Sequence, residues 1–188
     1  MSFNSANLFS VEEVRNTYAF VVPEFQRGYA WNRDQWLALW DDVEGTAARP
    51  DAQHYGGTIM LAERGADSGD VDLVDGQQRM TSISLMLAAL GADGIPIVFR
   101  NNEPLQTYYN YHALNQKSLG PSLKQHASYY AKNIADAAAF FAERAAALAD
   151  DDARQKLVAV LQHRFKLFVL GVHKDFDIHV AFETINNR

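Results

Sequence analysis

The sequence predicts a single α/β domain, a mixed sheet decorated with helices and followed by a largely helical C-terminal half. Short β-rich runs alternate with segments whose apolar residues recur every three or four positions. Capping signals mark several helix starts. The 188 residues are 48% hydrophobic and 21% charged, the balance of one compact domain that removes roughly 70% of its surface from water. The sheet core is expected over about residues 10–100 and a helical extension over about 101–188.

Ser10-Val11-Glu12-Glu13 is a capping box. Its serine hydroxyl and glutamate carboxylate each satisfy a free helix-start amide, so a short helix should run from Val11 to about Asn16. Tyr18 to Val22 reads as a strand stopped by Pro23, and Pro23 to Tyr29 follows as an ordered loop. Asn32, with Gln35 three residues on, opens a helix carrying Trp36, Leu37, Trp40 and Val43 on its core face. Gly57 to Ala62 and Val71 to Val74 are strands near enough to pair as a hairpin across the small polar turn Ala66 to Gly69. Asp75-Gly76-Gln77-Gln78-Arg79 then leads into Met80, Ile83, Leu87 and Leu90 at helical spacing, which reads as strand, glycine turn, helix.

Ile95 to Phe99 is another strand, while Asn101 to Gly120 shows no stable period and is expected to be an irregular, tyrosine-rich connection. From Ser122, the positions Leu123, Ala127, Tyr130, Ile134, Ala138, Phe141, Ala145 and Leu148 repeat at three and four residues, predicting one amphipathic helix of about seven turns. Its alanine-rich stripe reads as packing surface. Asp150-Asp151-Asp152 caps a helix near Ala153 to His163, Phe165 to Val172 is a buried strand, and Asp177 caps a last helix through Ile185.

Cysteine is absent, which excludes a disulfide scaffold, a thiolate nucleophile and a cysteine-held metal centre. Apolar runs reach six residues, as at Ala137 to Ala142, where a membrane span needs about twenty, and Met1 to Ser10 lacks a signal-peptide pattern. The expectation is a cytoplasmic protein with no membrane partner. The net charge of −6 opposes wholesale coating of a nucleic-acid backbone. Through Gly91 the chain carries 6 basic and 13 acidic side chains, and after it 11 and 10, so any polyanion site must be built by placement. No E-x-K triplet and no H-N-H pattern occurs, so a nuclease site is not expected here. His173, Asp175, Asp177 and His179 alternate and could share a metal if one strand carried all four. In the preferred reading that strand ends near His173 and separates them. His163 reads as a helix-end partner.

Chemistry concentrates at Asp75 to Arg79. A glycine between strand and helix permits close backbone approach and leaves several amide N–H groups directed at one spot. The helix dipole favours a phosphate there, and the planar fork of Arg79 matches phosphate oxygens. Gln77 and Gln78 add neutral donors and acceptors, and Asp75 could hold a metal ion or orient water. A plainer reading stays open, with Asp75 a helix cap, Gly76 a turn residue and Arg79 a surface charge, because one glycine is weaker than a full phosphate-binding fingerprint.

The segment co-occurs with Pro23-Glu24-Phe25-Gln26-Arg27-Gly28-Tyr29-Ala30-Trp31, with Tyr55-Gly56-Gly57-Thr58-Ile59 and with Phe182-Glu183-Thr184-Ile185-Asn186-Asn187-Arg188. Together these resemble the N-terminal ParB-like domain of GmrSD-type restriction systems. Members of that family pair a proline-led F/Y-Q-R-x-Y-x-W segment with a strand ending in D-G-Q-Q-R and a later F-E-x-x-N-x-R-G element. The resemblance runs from about Tyr18 to Arg188 and is most specific at D-G-Q-Q-R-x-T, Asp75 to Thr81.

The resemblance implies a core related to ParB and sulfiredoxin that binds and hydrolyses a nucleoside triphosphate with Mg²⁺, leaving open whether this is GTP, UTP, CTP or ATP. It implies nucleotide contacts from Gln26, Arg27, Gly76, Gln77, Gln78, Arg79 and Thr81, catalytic roles for Asp75, Gln78 and Arg79, and Mg²⁺ on Asp75. It further implies defence against foreign, often modified, DNA, with this domain gating an HNH-like nuclease on another domain or subunit. Because the family's last element continues into a glycine and further helices, the chain is expected to be the N-terminal part of a longer protein. Two other readings remain: a non-catalytic DNA-sensing module using Phe25, Tyr29 and Trp31 to stack on bases, and a helical scaffold recruiting another subunit. Oligomeric state is not legible.

Overall fold

A computed structural model of the chain describes residues 7–64, 70–115 and 128–172. Strand β1 (Asn7–Ser10) passes into helix α1 (Val11–Thr17), and the capping box forms as expected, with Glu13 N donating to Ser10 Oγ at 3.2 Å and Ser10 N to Glu13 Oε2 at 2.6 Å. Strand β2 (Ala19–Val22) ends before Pro23. The Asn32–Gln35 box opens helix α2 (Arg33–Ala47), which buries Trp36, Leu39, Trp40 and Val43. Strands β3 (His54–Glu63) and β4 (Asp70–Asp75) pair antiparallel as the predicted hairpin, and helix α3 (Gln77–Ala89) follows Gly76 directly. After strand β5 (Ile97–Phe99) come helices α4 (Glu103–Ala113), α5 (Tyr129–Ala146) and α6 (Asp151–Ala159), a π-helical turn (Val160–Arg164) and strand β6 (Phe165–Val172).

Among the described residues, six strands form one mixed sheet in the order β1-β6-β3-β4-β2-β5. Strand β6 lies between β1, to which it is antiparallel, and β3, to which it is parallel. The sheet is therefore not confined to the first hundred residues, and the helical extension returns to complete it. Side-chain alternation splits β3 and β4 between two faces. Ile59, Leu61, Val71 and Leu73 join the main core with the helices, whereas Met60, Ala62 and Val74 form a smaller cluster with Leu170 and Val172. Helix α3 is buried on nearly every side, the pattern of a central element rather than a surface one. No helix among the described residues is long and apolar enough to cross a membrane.

Two expectations are corrected. The stretch from Asn101 is not irregular: Asn102 accepts from Leu105 N at 3.2 Å, Pro104 occupies the first turn, and Leu105, Tyr108, Tyr109 and Ala113 point inward along α4. Its tyrosines and asparagines are middling helix formers, and packing overrides that weak propensity. The long helix does not run through from Ser122. Ser128 is extended, at φ −61° and ψ 158°, and its hydroxyl caps α5 through Ala131 N at 3.2 Å, giving five turns in place of about seven. Leu123, Ala127, the Ala66–Gly69 turn, His173 to His179, the helix expected after Asp177 and the Phe182–Arg188 element lie outside the described residues.

The loop from Pro23 to Trp31 carries no regular structure, so its backbone groups must find other partners. Gln78, buried at the start of α3, supplies three of them: its Nε2 donates to Gly28 O at 3.1 Å, and its Oε1 accepts from Ala30 N at 2.7 Å and Trp31 N at 3.3 Å. Gln77 Nε2 donates to Arg27 O at 2.6 Å, and Gln26 Nε2 donates to Val74 O. From the other side Asn133 of α5 donates to Tyr29 O at 3.2 Å. Gly28 is pressed against Tyr130, where an added Cβ would fall 2.2 Å from the ring. Tyr29 sends its hydroxyl into the core, accepting from Trp36 Nε1 at 2.7 Å and meeting Ser82 Oγ at 2.7 Å, while Ser82 donates to Gln78 O. Burial drives the Tyr29 phenol pKa upward and keeps it neutral.

Arg164, at the end of the π-helical turn, donates to Ala52 O and Thr46 O, each at 2.7 Å, and also to Arg49 O, satisfying carbonyls at and beyond the end of α2.

Replacing Gln78 with alanine strands three backbone groups at about 1–3 kcal/mol each where they stay dry. Gln78→Ala is therefore expected to lose about 3 kcal/mol or more in urea unfolding, with hydrogen exchange at the Ala30 amide rising more than at the core of α3. His112, whose Nε2 is buried without a hydrogen-bond partner among the described residues, has its pKa pushed below the ordinary 6.5 by desolvation. A depressed histidine pKa means that the folded chain holds fewer protons than the unfolded one, so stability is complete above about pH 6.5 and falls below it. The urea midpoint should therefore drop more between pH 7.5 and 5.5 in wild type than in His112→Gln.

Candidate functional site

Strands β2, β4 and β5 are mutually parallel through β2, so their carboxyl ends emerge along one edge of the sheet. That edge is where α/β folds bind ligands, and here it carries the Pro23 loop, Gly76 and Arg100–Asn102. Gly76 adopts φ +93°, and a Cβ there would sit 2.6 Å from Ile59 Cγ2, so both conformation and space demand glycine. Helix α3 has no side-chain cap. The expected alternative of Asp75 as a helix cap is not what forms. The first intrahelical bond runs from Met80 N to Gly76 O at 2.9 Å, which leaves the amides of Gln77, Gln78 and Arg79 outside the helical ladder at its positive end.

Gln26 and Arg27 from the loop meet Asp75, Gly76, Gln77 and Arg79 around a cavity of about 170 Å³, with Trp31 and Gln78 completing its wall. Sequence-distant residues singled out for one ligand thus share one cavity. Their states differ. Arg27 is exposed and its guanidinium has no partner among the described residues. Arg79 is half-buried, and its Nη1 donates to Thr58 O at 2.8 Å. Its guanidinium lies over Gly57, which has φ +100° and where an added Cβ would approach Arg79 Cζ to 2.7 Å. Burial lowers the Arg79 pKa, with Asp75 and Tyr55 acting in the opposite direction, and the group remains a cation.

Asp75 is half-buried at the end of β4, and its carboxylate makes no hydrogen bond or ion pair among the described residues. Gln77 is 5% exposed, and its Oε1 is buried with no hydrogen-bond partner among the described residues. The Asp75 carboxylate is of the kind that holds a hard cation such as Mg²⁺, which takes one or two carboxylates together with phosphates and water. No group of three or more His, Cys, Asp or Glu residues that could hold a metal occurs among the described residues.

Two expected ligand residues carry contacts that the sequence did not show. Both atoms of the Gln78 amide bond the loop backbone at Gly28, Ala30 and Trp31, while the residue also stands in the cavity wall. Thr81, at 1% exposure, lies in the core one turn deeper and outside the cavity wall. Tyr29, considered for base stacking, is 1% exposed and bonded internally, whereas Phe25 is 38% exposed. Sequence reasoning missed Gly57 and Thr58 as the seat of Arg79. The signal was present, since paired glycines inside a strand mark a bulge or a close approach, and the β3–β6 register does shift between Tyr55 and Thr58.

No curated protein matches the chain. The family profile described as GmrSD restriction endonuclease, N-terminal domain, matches residues 6–188, a span that takes in the Pro23 loop, the Gly57 bulge and the Asp75–Arg79 corner. The chain belongs to the family of GmrSD restriction endonuclease N-terminal domains.

Proposed function

We propose that the cavity at Gly76 binds the phosphates of a nucleoside triphosphate with Mg²⁺, that the chain hydrolyses it, and that occupancy gates a nuclease on another domain or subunit of the restriction system. One observation carries the reading: two arginines and three helix-start amides converge on a cavity beside a buried Gln77 oxygen that has no hydrogen-bond partner among the described residues. A triphosphate answers each feature. Its anionic oxygens match the guanidinium forks and the amides.

Phosphoryl transfer depends mainly on positioning and charge neutralisation, which this residue set supplies in kind. Arg79, pinned at Thr58 O, offers a preorganised cation, and Arg27, unpaired and exposed, closes on the ligand from the loop. Asp75 would hold Mg²⁺ or orient the attacking water, and Gln77 Oε1 would accept a hydrogen bond from a water beside it. Bound with the phosphates, Mg²⁺ supplies charge neutralisation. Membership of a restriction-endonuclease family supports the gating of a nuclease as part of this reading.

Arg27→Ala should melt like wild type without ligand, because its exposed side chain makes no hydrogen bond or ion pair among the described residues, yet bind Mg-triphosphates about tenfold to a hundredfold more weakly. Unchanged binding in this variant would remove the assignment. Asp75→Asn should retain binding without Mg²⁺, lose the Mg²⁺-dependent part of the melting shift, and release phosphate about a hundredfold more slowly or less. A panel of ATP, GTP, CTP and UTP scored by melting shift and phosphate release checks both variants.

A further inference from the structure

Next to the phosphate cavity lies a second one of about 360 Å³, and Trp31 and Arg79 belong to the walls of both. The chemistry of the second is different. Tyr55 gives it an exposed aromatic face above the buried Phe165, Ala38 and Leu39 line it with small and aliphatic groups, and Gln35, Asp42 and His54 supply polar atoms. We infer that this second cavity holds the base of the nucleotide whose phosphates occupy the first, an inference that rests on the triphosphate reading above.

Size is the first argument. At about 170 Å³ the phosphate cavity is smaller than the roughly 300–1,000 Å³ of sites that bury a whole small ligand, and the two joined fall within that range. Continuity is the second. Arg79 stands in both walls, fixed by Thr58 O and seated over Gly57, so a molecule reaching across it leaves phosphates on one side and a ring on the other.

The third argument is the character of the lining. Bases are held by stacking on aromatic faces and by hydrogen bonds at their edges. Tyr55 is 60% exposed, one of the most exposed large side chains among the described residues, with its hydroxyl 3.0 Å from Thr58 Oγ1. His54 is stacked on Phe165 with centroids 4.8 Å apart and planes 19° apart, and its Nε2 stands 3.4 Å from Asp42 Oδ2. Gln35 uses its Oε1 on Asn32 N, leaving its amide N–H groups for a ligand. Donors and acceptors are thus set among flat apolar surfaces. Gly56 packs directly on the Phe165 ring, where a Cβ would fall 2.0 Å from it.

The test compares nucleoside triphosphates with inorganic tripolyphosphate, all with Mg²⁺, by calorimetric titration of the full chain. Tyr55→Ala removes the aromatic face, and Ala38→Trp, at an exposed position of α2, fills the space. Wild type is expected to bind at least one of ATP, GTP, CTP or UTP about tenfold or more tightly than tripolyphosphate. Both variants should bring that nucleotide to the tripolyphosphate level, with tripolyphosphate affinity and the ligand-free melting temperature unchanged. Equal affinity of wild type for tripolyphosphate and every nucleotide, or a preference that survives in both variants, overturns the base site while leaving the phosphate site standing. Failure of tripolyphosphate and nucleotides alike overturns both.

Discussion

A single buried carboxamide organises the functional edge of this molecule. Gln78 projects from the first turn of α3 and holds Gly28 O, Ala30 N and Trp31 N of a loop some fifty residues earlier in the chain. Because both its donor and its acceptor are used, the loop can sit against α3 only in one register. Arg27 is thereby brought to the cavity, and Trp31 to the boundary between the two cavities. The Tyr29–Ser82–Trp36 chain fastens the same loop to the core from beneath, and Asn133 fastens it from α5. A polar group at this depth is costly unless fully satisfied, and here the satisfaction itself fixes the geometry.

The two arginines divide the electrostatic work. The chain is acidic overall, so long-range attraction does not bring a polyanion to this edge, and short-range placement must. Arg79 gives up solvation and gains rigidity through Thr58 O and the Gly57 seat. Arg27 keeps its solvation and its freedom. A rigid cation preorganises the site and a mobile one adapts to the ligand, and the helix-start amides add positive potential without adding charge.

What could be read from sequence was what local chemistry determines. The capping pairs Ser10–Glu13 and Asn32–Gln35 and the strand-glycine-helix corner at Gly76 each follow from residues within four positions of one another, and the hairpin from two β-rich runs close in the chain. Helix α4 was missed because its inward residues Leu105, Tyr108, Tyr109 and Ala113 are carried on a segment of weak propensity, and only packing reveals the period. Ser128 interrupts an apolar repeat that runs on unbroken in sequence. The convergence of Gln26 and Arg27 with Asp75 to Arg79 was expected from the family resemblance, but Gln78's use as a loop clamp and Thr81's burial are tertiary facts that no local spacing encodes.

The place of β6 in the sheet bears on how the chain comes off the ribosome. Residues 165–172 arrive last among the described strands yet lie between β1 and β3. Until they emerge, one side of the ten-residue β3 has no neighbour and β1 has nothing to pair with. Nascent chains stopped short of Phe165 would thus present a long bare strand edge of the kind that recruits other chains into aggregates.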